Sequence, residues 1–357
     1  MSTDQDPTSS DTTGGDSALQ VKRANGVFVI LTHEDELQKA RETVRQIEDR
    51  FNRDRNYPWI VLTPLPLTTR SRNLISQLTK GTTTFGTIPH EQWRLPKWIE
   101  AAMVRNGDYA KMRLGMNKTS LLERHRWRYM SGFLAQHKLL DQYEFFWRVD
   151  PGVCILCDVE EDPMLMLKSS GQKFAWSLLS TVNEASVPGA LSLIERFKST
   201  HPELIPDSRD EAFLVREAGD AFTACTYGVE TSIARVNFFR SPAYQAYFEY
   251  VDRQGPIYYH KWSDAAVTTI GLGLLAPRSD TLFLEHLGWS YGSIAYCPDR
   301  CPCNPQINNM ALHLSCTPFW TELAESPELK RRLECNADGK CIMYVSKPNL
   351  TTVPDPK

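Results

Sequence analysis

An aspartate that ends a buried strand is the residue best placed to do chemistry in this chain. The largely apolar stretch YEFFWRV, residues 143–149, is typical of such a strand, and it stops abruptly at Asp150-Pro151-Gly152. Open α/β sheets bind ligands outside the carboxyl ends of their strands, and Mg²⁺ or Mn²⁺ prefers hard oxygen ligands. We therefore predict that Asp150 holds a divalent cation that neutralises a pyrophosphate. The alternative is that this aspartate only forms the turn.

Arginines form a second group with chemical potential. Three alternate in the segment RHRWR and a fourth precedes the strand-end aspartate; they are Arg124, Arg126, Arg128 and Arg148. Guanidinium groups bind phosphate oxygens in pairs, so these side chains could clamp a phosphate. Alternatively, the alternating arginines form a solvated face. A helix is predicted directly after them, over residues 129–139.

Two further patterns have competing interpretations. Asp264, at the start of a predicted helix, could orient a sugar hydroxyl, or it could only complement the helix dipole. The segment GWSYG at 288–292 matches the nucleophile elbow of α/β-hydrolases, a chemistry that requires a helix after Ser290 and a downstream acid and histidine. A cysteine-rich stretch follows instead, and His313 is the only later histidine. We interpret this match as accidental.

Nine cysteines bear on the compartment in which the protein folds. Four of them lie in a Pro-rich region with few apolar residues: Cys297, Cys301, Cys303 and Cys316. Such a region is typical of a loop stapled by disulfides in an oxidising compartment. We predict at least one disulfide that ties it to the rest of the protein, with Cys157 and Cys225 as natural partners and the pairing left open. A zinc site that includes Cys154 and Cys157 is the alternative, although residues three apart on a strand face opposite sides.

Strand and helix patterns surround these residues. The continuous apolar run at 26–31 predicts a strand covered on both faces, and Thr32 with Asp35 resembles a capping box. Apolar residues at spacings of three and four then predict a helix to Phe51, and the run at 59–62 predicts the next strand. This βαβ order indicates a parallel sheet, whereas the lack of a GxGxxG motif argues against a dinucleotide dehydrogenase. Further helices are predicted over 188–198, 241–252 and 263–275.

Composition narrows the class of protein. The 357 residues include 40 Lys and Arg against 43 Asp and Glu, a net charge of −3, which argues against a nucleic acid or an anionic membrane surface as the main partner. Hydrophobic residues make up 41% and charged residues 23%, so disorder of the whole chain is excluded. No apolar run reaches the roughly 18 residues of a membrane span. Residues 1–22 lack the apolar centre of a signal peptide, and we predict a disordered tail there.

The order of several short stretches is specific enough to indicate a family. IEDRFN is followed by NYPW and later by WRVDPGV. The other stretches are FGTIP, RH with SGF, NFFRS, YFEY and the CP at 297–298. Together they resemble the fungal α-1,2-mannosyltransferase family of the secretory pathway, of the glycolipid 2-alpha-mannosyltransferase type. The resemblance runs from about residue 23 to residue 320 and indicates a divergent member.

The resemblance implies a fold and a reaction. The fold is GT-A-like α/β: a single large domain over 23–320 with a mixed, mostly parallel central sheet flanked by helices, a Cys-rich C-terminal loop region and an accessory tail over 321–357. The reaction is transfer of mannose from GDP-mannose, with retention and with Mn²⁺, to the 2-hydroxyl of a mannose-containing glycan during protein O- and N-glycan elongation. The implied location is the Golgi lumen behind a single N-terminal membrane anchor, which this sequence does not contain.

The resemblance also assigns site residues, most of them altered here. Asp150 replaces the family's metal-binding glutamate, and Tyr291 stands where the family has a second metal ligand, a histidine. The family's candidate nucleophilic glutamate falls on Ser232 when residues are counted without gaps. A slip of two residues would bring Glu230 to that place instead.

The remaining implied roles concern the nucleotide and the acceptor. Asp264 matches the family's acceptor-side aspartate, Glu123 replaces a tyrosine, and the nucleotide phosphates would be supported by Arg124, Arg128 and Arg148. With no carboxylate at position 232, a covalent sugar intermediate is not expected, and the leaving phosphate would take the acceptor proton. The altered positions leave open an alternative, a degenerate member that binds nucleotide or glycan without turnover.

Overall fold

The computed structural model describes residues 22–106, 119–182, 186–309 and 315–324, together with two short strands beyond them. The strands are β1 Gly26–Leu31, β2 Trp59–Thr63, β3 Thr83–Thr87, β4 Phe145–Val149, β5 Cys154–Ile155, β6 Phe174–Trp176, β7 Leu179–Thr181, β8 Cys225–Tyr227, β9 Thr231–Arg235, β10 Thr281–Phe283, β11 Trp289–Tyr291, β12 Ile294–Tyr296, β13 Leu333–Cys335 and β14 Cys341–Met343. The α-helices are α1 Leu37–Ile47, α2 Thr69–Ser76, α3 Leu121–Arg128, α4 Pro163–Ser170, α5 Ala190–Thr200, α6 Glu211–Leu214, α7 Val236–Phe239, α8 Pro242–Gln254, α9 Pro256–Tyr259, α10 Asp264–Leu275 and α11 Thr317–Ala324.

A seven-stranded sheet forms the centre of the molecule, in the order β10-β6-β9-β4-β1-β2-β3. The four strands from β4 to β3 pair in parallel, as do β6 and β10, whereas β9 runs antiparallel between β4 and β6. The sheet is therefore mixed and mostly parallel, which confirms the predicted fold class. No helix within the described ranges is long and apolar enough to cross a membrane.

Apolar layers cover both faces of this sheet. In β1, Val27, Val29 and Leu31 belong to one buried cluster, while Phe28 and Ile30 belong to the other. Successive side chains of a strand point to opposite faces, so a strand buried on both faces has no polar alternation. This is why the run GVFVIL is continuous.

The predicted βαβ unit is present, but its helix begins differently. The prediction of a capping box at Thr32 and Asp35 was wrong. The Thr32 hydroxyl donates to the carbonyl of His33 instead, and a 3₁₀ turn over Glu34–Glu36 precedes α1. The predicted helical face continues to Phe51 through a π-helical turn over Glu48–Asn52.

The helix predicted over 129–139 was also wrong. The α-helical segment is α3, which begins eight residues earlier because Ser120 and Glu123 form a capping box. A π-helical turn over Tyr129–Phe133 follows it and gives way to 3₁₀ turns. The arginines of RHRWR therefore lie within a helix rather than before one.

Three later helices confirm their sequence patterns. They are α5, α8 and α10, predicted over 188–198, 241–252 and 263–275. The Ser241 hydroxyl accepts a hydrogen bond from the Tyr244 amide at 3.2 Å. Ser263 accepts one from the Ala266 amide at 3.4 Å, so both serines act as N-caps.

The cysteine-rich region is tied to the body of the protein, as predicted. Disulfides join Cys157 to Cys301 and Cys225 to Cys316, and a third closes a short loop between Cys297 and Cys303. The zinc alternative fails for Cys157, whose sulfur is in a disulfide, whereas Cys154 is free.

The hydrolase pattern does not form a nucleophile elbow. Ser290 lies in β11, which turns at Gly292 into the antiparallel β12, so no helix follows the serine. His313 lies outside the described residues. The accidental interpretation of GWSYG is confirmed.

The predicted domain limits fall largely on residues that the structure does not describe. Of the predicted N-terminal tail over 1–22, only residue 22 is described. The predicted boundary between 320 and 321 falls within α11, and the strands β13 and β14 form an antiparallel pair inside the predicted accessory tail.

Candidate active site

A cleft of about 450 Å³ opens at one edge of the central sheet. The strands β1 and β4 end at this edge, and β9 begins there because it runs antiparallel, with Val149 opposite Thr231. The charged and phenolic side chains that line the cleft are Glu36, Glu123, Arg126, Arg148, Asp150, Tyr227, Glu230, Asp264 and Tyr291. Six of the nine predicted site residues are among them. A separate cavity of about 300 Å³ beside the Cys157–Cys301 disulfide contains none of the nine.

Arg148 joins two carboxylates of the cleft. Its Nε and one Nη donate to the two oxygens of Asp150 at 3.0 and 2.7 Å. Its other Nη lies 2.6 Å from Asp264 Oδ2. Asp150 directly follows β4 and Asp264 begins α10, so this buried arginine fixes the helix terminus against the strand end. Pro151 and Gly152, whose φ of +101° suits glycine, turn the chain away from the cleft.

Burial and neighbouring charges shift the pKa values of Asp150 and Arg148 in opposite directions. Burial alone would raise the pKa of Asp150, but the guanidinium groups of Arg148 and Arg126 hold it below its usual value. Burial alone would lower the pKa of Arg148, but Asp150 and Asp264 raise it further above neutrality. Asp150 is therefore a carboxylate at neutral pH, and Arg148 is a cation.

Glu230, immediately before β9, adds a carboxyl group to the cleft beside Asp150 and Asp264. The Asp150 amide donates to the Glu230 carbonyl at 2.9 Å, which fixes the two residues side by side. The Oε2 atom is buried and has no hydrogen-bond partner among the residues that the structure describes. Burial, with the negative charges of Asp150 and Asp264, raises the pKa of Glu230 to about 7, against the opposing effect of Arg148.

Ser232 and Tyr291, two of the altered family positions, have different surroundings. Ser232 is buried within β9 opposite Arg148, and its hydroxyl donates to the Val229 carbonyl at 3.1 Å; it does not line the cleft. Tyr291 does line it. Burial and the charge of Asp150 raise the pKa of its phenol, so the phenol is neutral near pH 7 and a poor metal ligand.

Helix α3 presents one face to the cleft and another to the core. Glu123, Arg126 and Trp127 line the cleft, as their spacing of three and four residues predicts for one face of a helix. Arg124 and Arg128 face inward instead. Arg124 donates to the Tyr258 carbonyl at 2.8 Å.

The two inward arginines stabilise the packing of α3 against later helices. Arg128 donates through Nε and Nη to both oxygens of the buried Asp252, at 2.7 and 2.8 Å. Neither Arg124 nor Arg128 lines the cleft. Their assignment to the nucleotide phosphates remains a prediction that this geometry does not support.

Sequence reasoning missed Glu36 as a site residue, and it named Arg126 among the phosphate-binding candidates without assigning it a role in the site. Arg126 lies with Nη1 at 3.2 Å from Glu36 Oε2 and with Nη2 at 3.5 Å from Asp150 Oδ1. The capping box at Ser120 and Glu123 was the signal for Arg126, because it sets the phase of α3. Glu36 had no signal beyond its position after β1.

Comparison with known proteins identifies the family. A sequence profile of the Glycolipid 2-alpha-mannosyltransferase family matches residues 3–325. The chain belongs to this family. It is 32% identical to the Alpha-1,2 mannosyltransferase KTR1 of Saccharomyces cerevisiae, over 86% of the chain and 80% of that protein. It is 31% identical to the O-glycoside alpha-1,2-mannosyltransferase homolog 2 of Schizosaccharomyces pombe, over 82% of the chain and 79% of that protein.

Solved structures agree with this family membership. The Mn/GDP form of Core-mannan synthase A (CmsA/Ktr4) from Aspergillus fumigatus is 25% identical, with a TM-score of 0.75 over 79% of each chain. The mannosyltransferase Ktr4p of S. cerevisiae in complex with GDP has a TM-score of 0.79 at 21% identity, over 86% of this chain and 84% of that one. The fold is therefore that of these two solved structures.

Proposed function

We propose that this chain transfers mannose from GDP-mannose to the 2-hydroxyl of a mannoside acceptor, in the elongation of protein O- and N-glycans. The observation that carries the proposal is the convergence of Asp150, Glu230 and Asp264 around Arg148 in a cleft at the carboxyl edge of the sheet. Ligands of open α/β sheets bind at this edge. Family membership and the GDP in two solved relatives support the donor nucleotide.

Mn²⁺ is the metal that we propose for this site, with Asp150 as its protein ligand. The described residues contain no group of three Asp, Glu, His or Cys side chains able to hold a metal ion. Cations of this class nevertheless bind at nucleotide sites through one or two carboxylates together with substrate phosphates, and an ionised aspartate fits that donor set. When bound, the metal ion would neutralise charge on the diphosphate.

Glu230 is the carboxylate that we assign to the reacting sugar. As the bond between the anomeric carbon and the phosphate oxygen breaks, positive charge develops on the mannosyl ring. A nearby carboxylate stabilises such charge. Glu230, whose pKa of about 7 leaves it partly ionised at neutral pH, lines the cleft, and its Oε2 has no hydrogen-bond partner among the residues that the structure describes. The acceptor oxygen then bonds to the same carbon on the face that the phosphate leaves, and the leaving diphosphate takes the hydroxyl proton, which gives retention.

The acceptor side is assigned to Asp264. Its Oδ1 accepts a hydrogen bond from the Ala265 amide at 3.1 Å, and its Oδ2 contacts Arg148, so the carboxylate is held in one orientation. A fixed carboxylate can accept from a sugar hydroxyl and position it. Glu123 lines the same cleft but is already used by its capping box, and we assign it only a rim position.

The Golgi lumen is the proposed location. Disulfides form and persist in compartments of the secretory pathway and are rare in the cytosol, and three are present here. The acceptor would then be a mannose-containing glycan on a secreted protein.

A degenerate member is the second candidate, and one observation favours it. The position opposite Arg148 on β9 holds Ser232 rather than a carboxylate. In this case the cleft would bind GDP or a glycan without turnover.

Transfer from GDP-mannose to methyl α-mannoside in the presence of Mn²⁺ tests the proposal. We expect release of GDP together with a disaccharide whose NMR spectrum shows an α-1,2 linkage. GDP binding without any disaccharide would establish the degenerate alternative. A protein that binds neither GDP nor mannoside would refute both.

A further inference from the structure

Arg126 is the cation of the cleft that is least committed to the fold. Its side chain is 14% exposed, and each of its two carboxylate contacts uses a single nitrogen, at 3.2 Å to Glu36 and 3.5 Å to Asp150. Arg148, in contrast, is 6% exposed and uses three nitrogens on two carboxylates at 2.6 to 3.0 Å. Arg148 is therefore a structural cation, and Arg126 is free to exchange its partners for a ligand.

The charge of the cleft makes such a cation necessary for an anionic ligand. Even without Glu230, the four carboxylates Glu36, Glu123, Asp150 and Asp264 that line it outnumber the two arginines Arg126 and Arg148. A diphosphate that enters meets a net negative surface unless a cation turns toward it. Guanidinium is suited to this task because its planar fork donates two parallel hydrogen bonds to phosphate oxygens.

We propose that Arg126 binds the diphosphate of the nucleotide directly, so that the cleft retains measurable affinity for GDP in the absence of a divalent cation. The inference rests on the proposed function only in taking GDP as the ligand. On binding, the guanidinium leaves Glu36 and Asp150 for the phosphate oxygens. This exchange also removes one of the two arginine contacts of Asp150 Oδ1, which keeps its hydrogen bond from Arg148 Nε, so the carboxylate would be more accessible to a metal ion once the nucleotide has entered.

Glu36 restrains Arg126 and so sets the strength of this effect. Its carboxylate, 32% exposed, contacts both Arg126 and His33 through Oε2, at 3.2 and 3.4 Å. Removing its charge should release the guanidinium. The variant Glu36→Gln should therefore bind GDP more tightly than the wild type in the absence of metal.

Calorimetric titration with GDP tests the inference, in EDTA and again in Mn²⁺. In EDTA we expect measurable binding to the wild type, a loss of at least tenfold in Arg126→Gln, a smaller loss in Arg126→Lys, and tighter binding in Glu36→Gln. Arg253→Gln is the matched control, because Arg253 is exposed, forms an ion pair along its own helix with Glu249 and does not line the cleft. Guanosine, which lacks phosphates, should bind Arg126→Gln and wild type equally.

The outcomes separate this inference from the proposed function. Equal GDP affinity of Arg126→Gln and wild type in EDTA would overturn it, as would a wild type that binds GDP only with Mn²⁺. A wild type that binds no GDP under either condition would instead overturn the proposed function. If thermal melting shows that Arg126→Gln is unfolded, the comparison of Arg126→Lys with Glu36→Gln decides, because the two variants are expected to shift the affinity in opposite directions.

Discussion

Glu230 and Ser232 are the two positions at which the family's glutamate could fall, and they are two residues apart. Position 232 lies inside the sheet, whereas position 230 lies at the cleft. Residues two apart on a strand share a face and are separated by roughly 6–7 Å. Ser232 pairs with Arg148 inside the sheet, whereas Glu230 precedes β9 at its edge. Counting residues alone could not decide between them, because both alignments place the side chain on the same face.

Replacing Glu230 by Gln tests its proposed role at the sugar. We expect Glu230→Gln to lower the rate of mannosyl transfer by about 10²–10³, the usual loss when a well-placed electrostatic group is removed, with GDP affinity little changed. Ser232→Glu should give no gain, because it adds a buried carboxylate beside the already paired Arg148. Steady-state kinetics with the exposed Glu217→Gln as control measures this. Unchanged transfer in Glu230→Gln would remove Glu230 from the reaction.

Asp150 is more than a ligand at a strand end, because it is also half of a buried ion pair. We expect Asp150→Asn to remove the Mn²⁺-dependent gain in GDP affinity, by at least about tenfold, which is ~1.4 kcal/mol. The variant should also melt at a lower temperature, since Arg148 loses one of its two ion-pair partners and keeps Asp264. Calorimetry with and without Mn²⁺ measures the first effect. Equal Mn²⁺ dependence in variant and wild type would show that this aspartate serves only the fold.

At the scale of an element, the phase of α3 decides which of its charged residues reach the cleft. Once Ser120 is placed as the N-cap, the helical period sends Glu123, Arg126 and Trp127 to one face and Arg124 with Arg128 to the other. The sequence contains this information in its capping box. The helix was predicted eight residues too late, so its phase was not used to separate Arg126 from Arg124 and Arg128.

The inward face of α3 also carries a histidine that should make stability depend on pH. His125 Nδ1 lies 2.8 Å from the Tyr258 hydroxyl. Burial, and then the charges of Arg128 and Arg124, lower the pKa of His125 from 6.5 to about 4. Between these two values the unfolded chain binds more protons than the folded protein, so this residue makes stability fall as pH falls from about 6.5 to 4.

His125→Gln should remove that part of the pH dependence. Denaturant unfolding of both proteins at several values between pH 7 and pH 4.5 measures it. We expect the variant to be less stable than wild type at pH 7, where it loses the bond to Tyr258, and the gap to narrow on acidification. The exposed His90→Gln should follow the wild type. A constant gap at all pH values would contradict the assignment.

At the scale of the whole molecule, local patterns predicted several of the elements but not the cleft. The strands β1, β2 and β4, the helix after β1, three later helices and the attachment of the cysteine-rich loop follow from periodicity, caps and composition, which are properties of neighbouring residues. The cleft assembles side chains from β4, β9, α3, α10 and β11, and their contacts depend on the order of strands in the sheet. The antiparallel direction of β9, for example, places Glu230 beside Asp150, and no local pattern specifies it.

The disulfides give the last prediction, because they differ mainly in the length of chain that they close. Cys157–Cys301 closes a separation of 144 residues and Cys297–Cys303 one of 6. In the chain-entropy model these are worth about 5 and about 2 kcal/mol. The long disulfide also packs against Gly288, where a Cβ would lie 2.8 Å from the Cys301 sulfur, so it fixes the loop directly before β11 and Tyr291.

Replacing both cysteines of one pair at a time by alanine should therefore show which disulfide contributes more to the free energy of unfolding. We expect the free energy of unfolding to fall by roughly 2–4 kcal/mol for the 157–301 pair, in the range typical of native disulfides, and by clearly less for the 297–303 pair. GDP affinity should weaken only in the first variant, since only that bond anchors the strand that carries Tyr291. Equilibrium unfolding in guanidinium chloride, followed by GDP titration of the folded variants, measures both effects. Equal losses of stability for the two pairs would mean that loop closure is not the main contribution of these bonds.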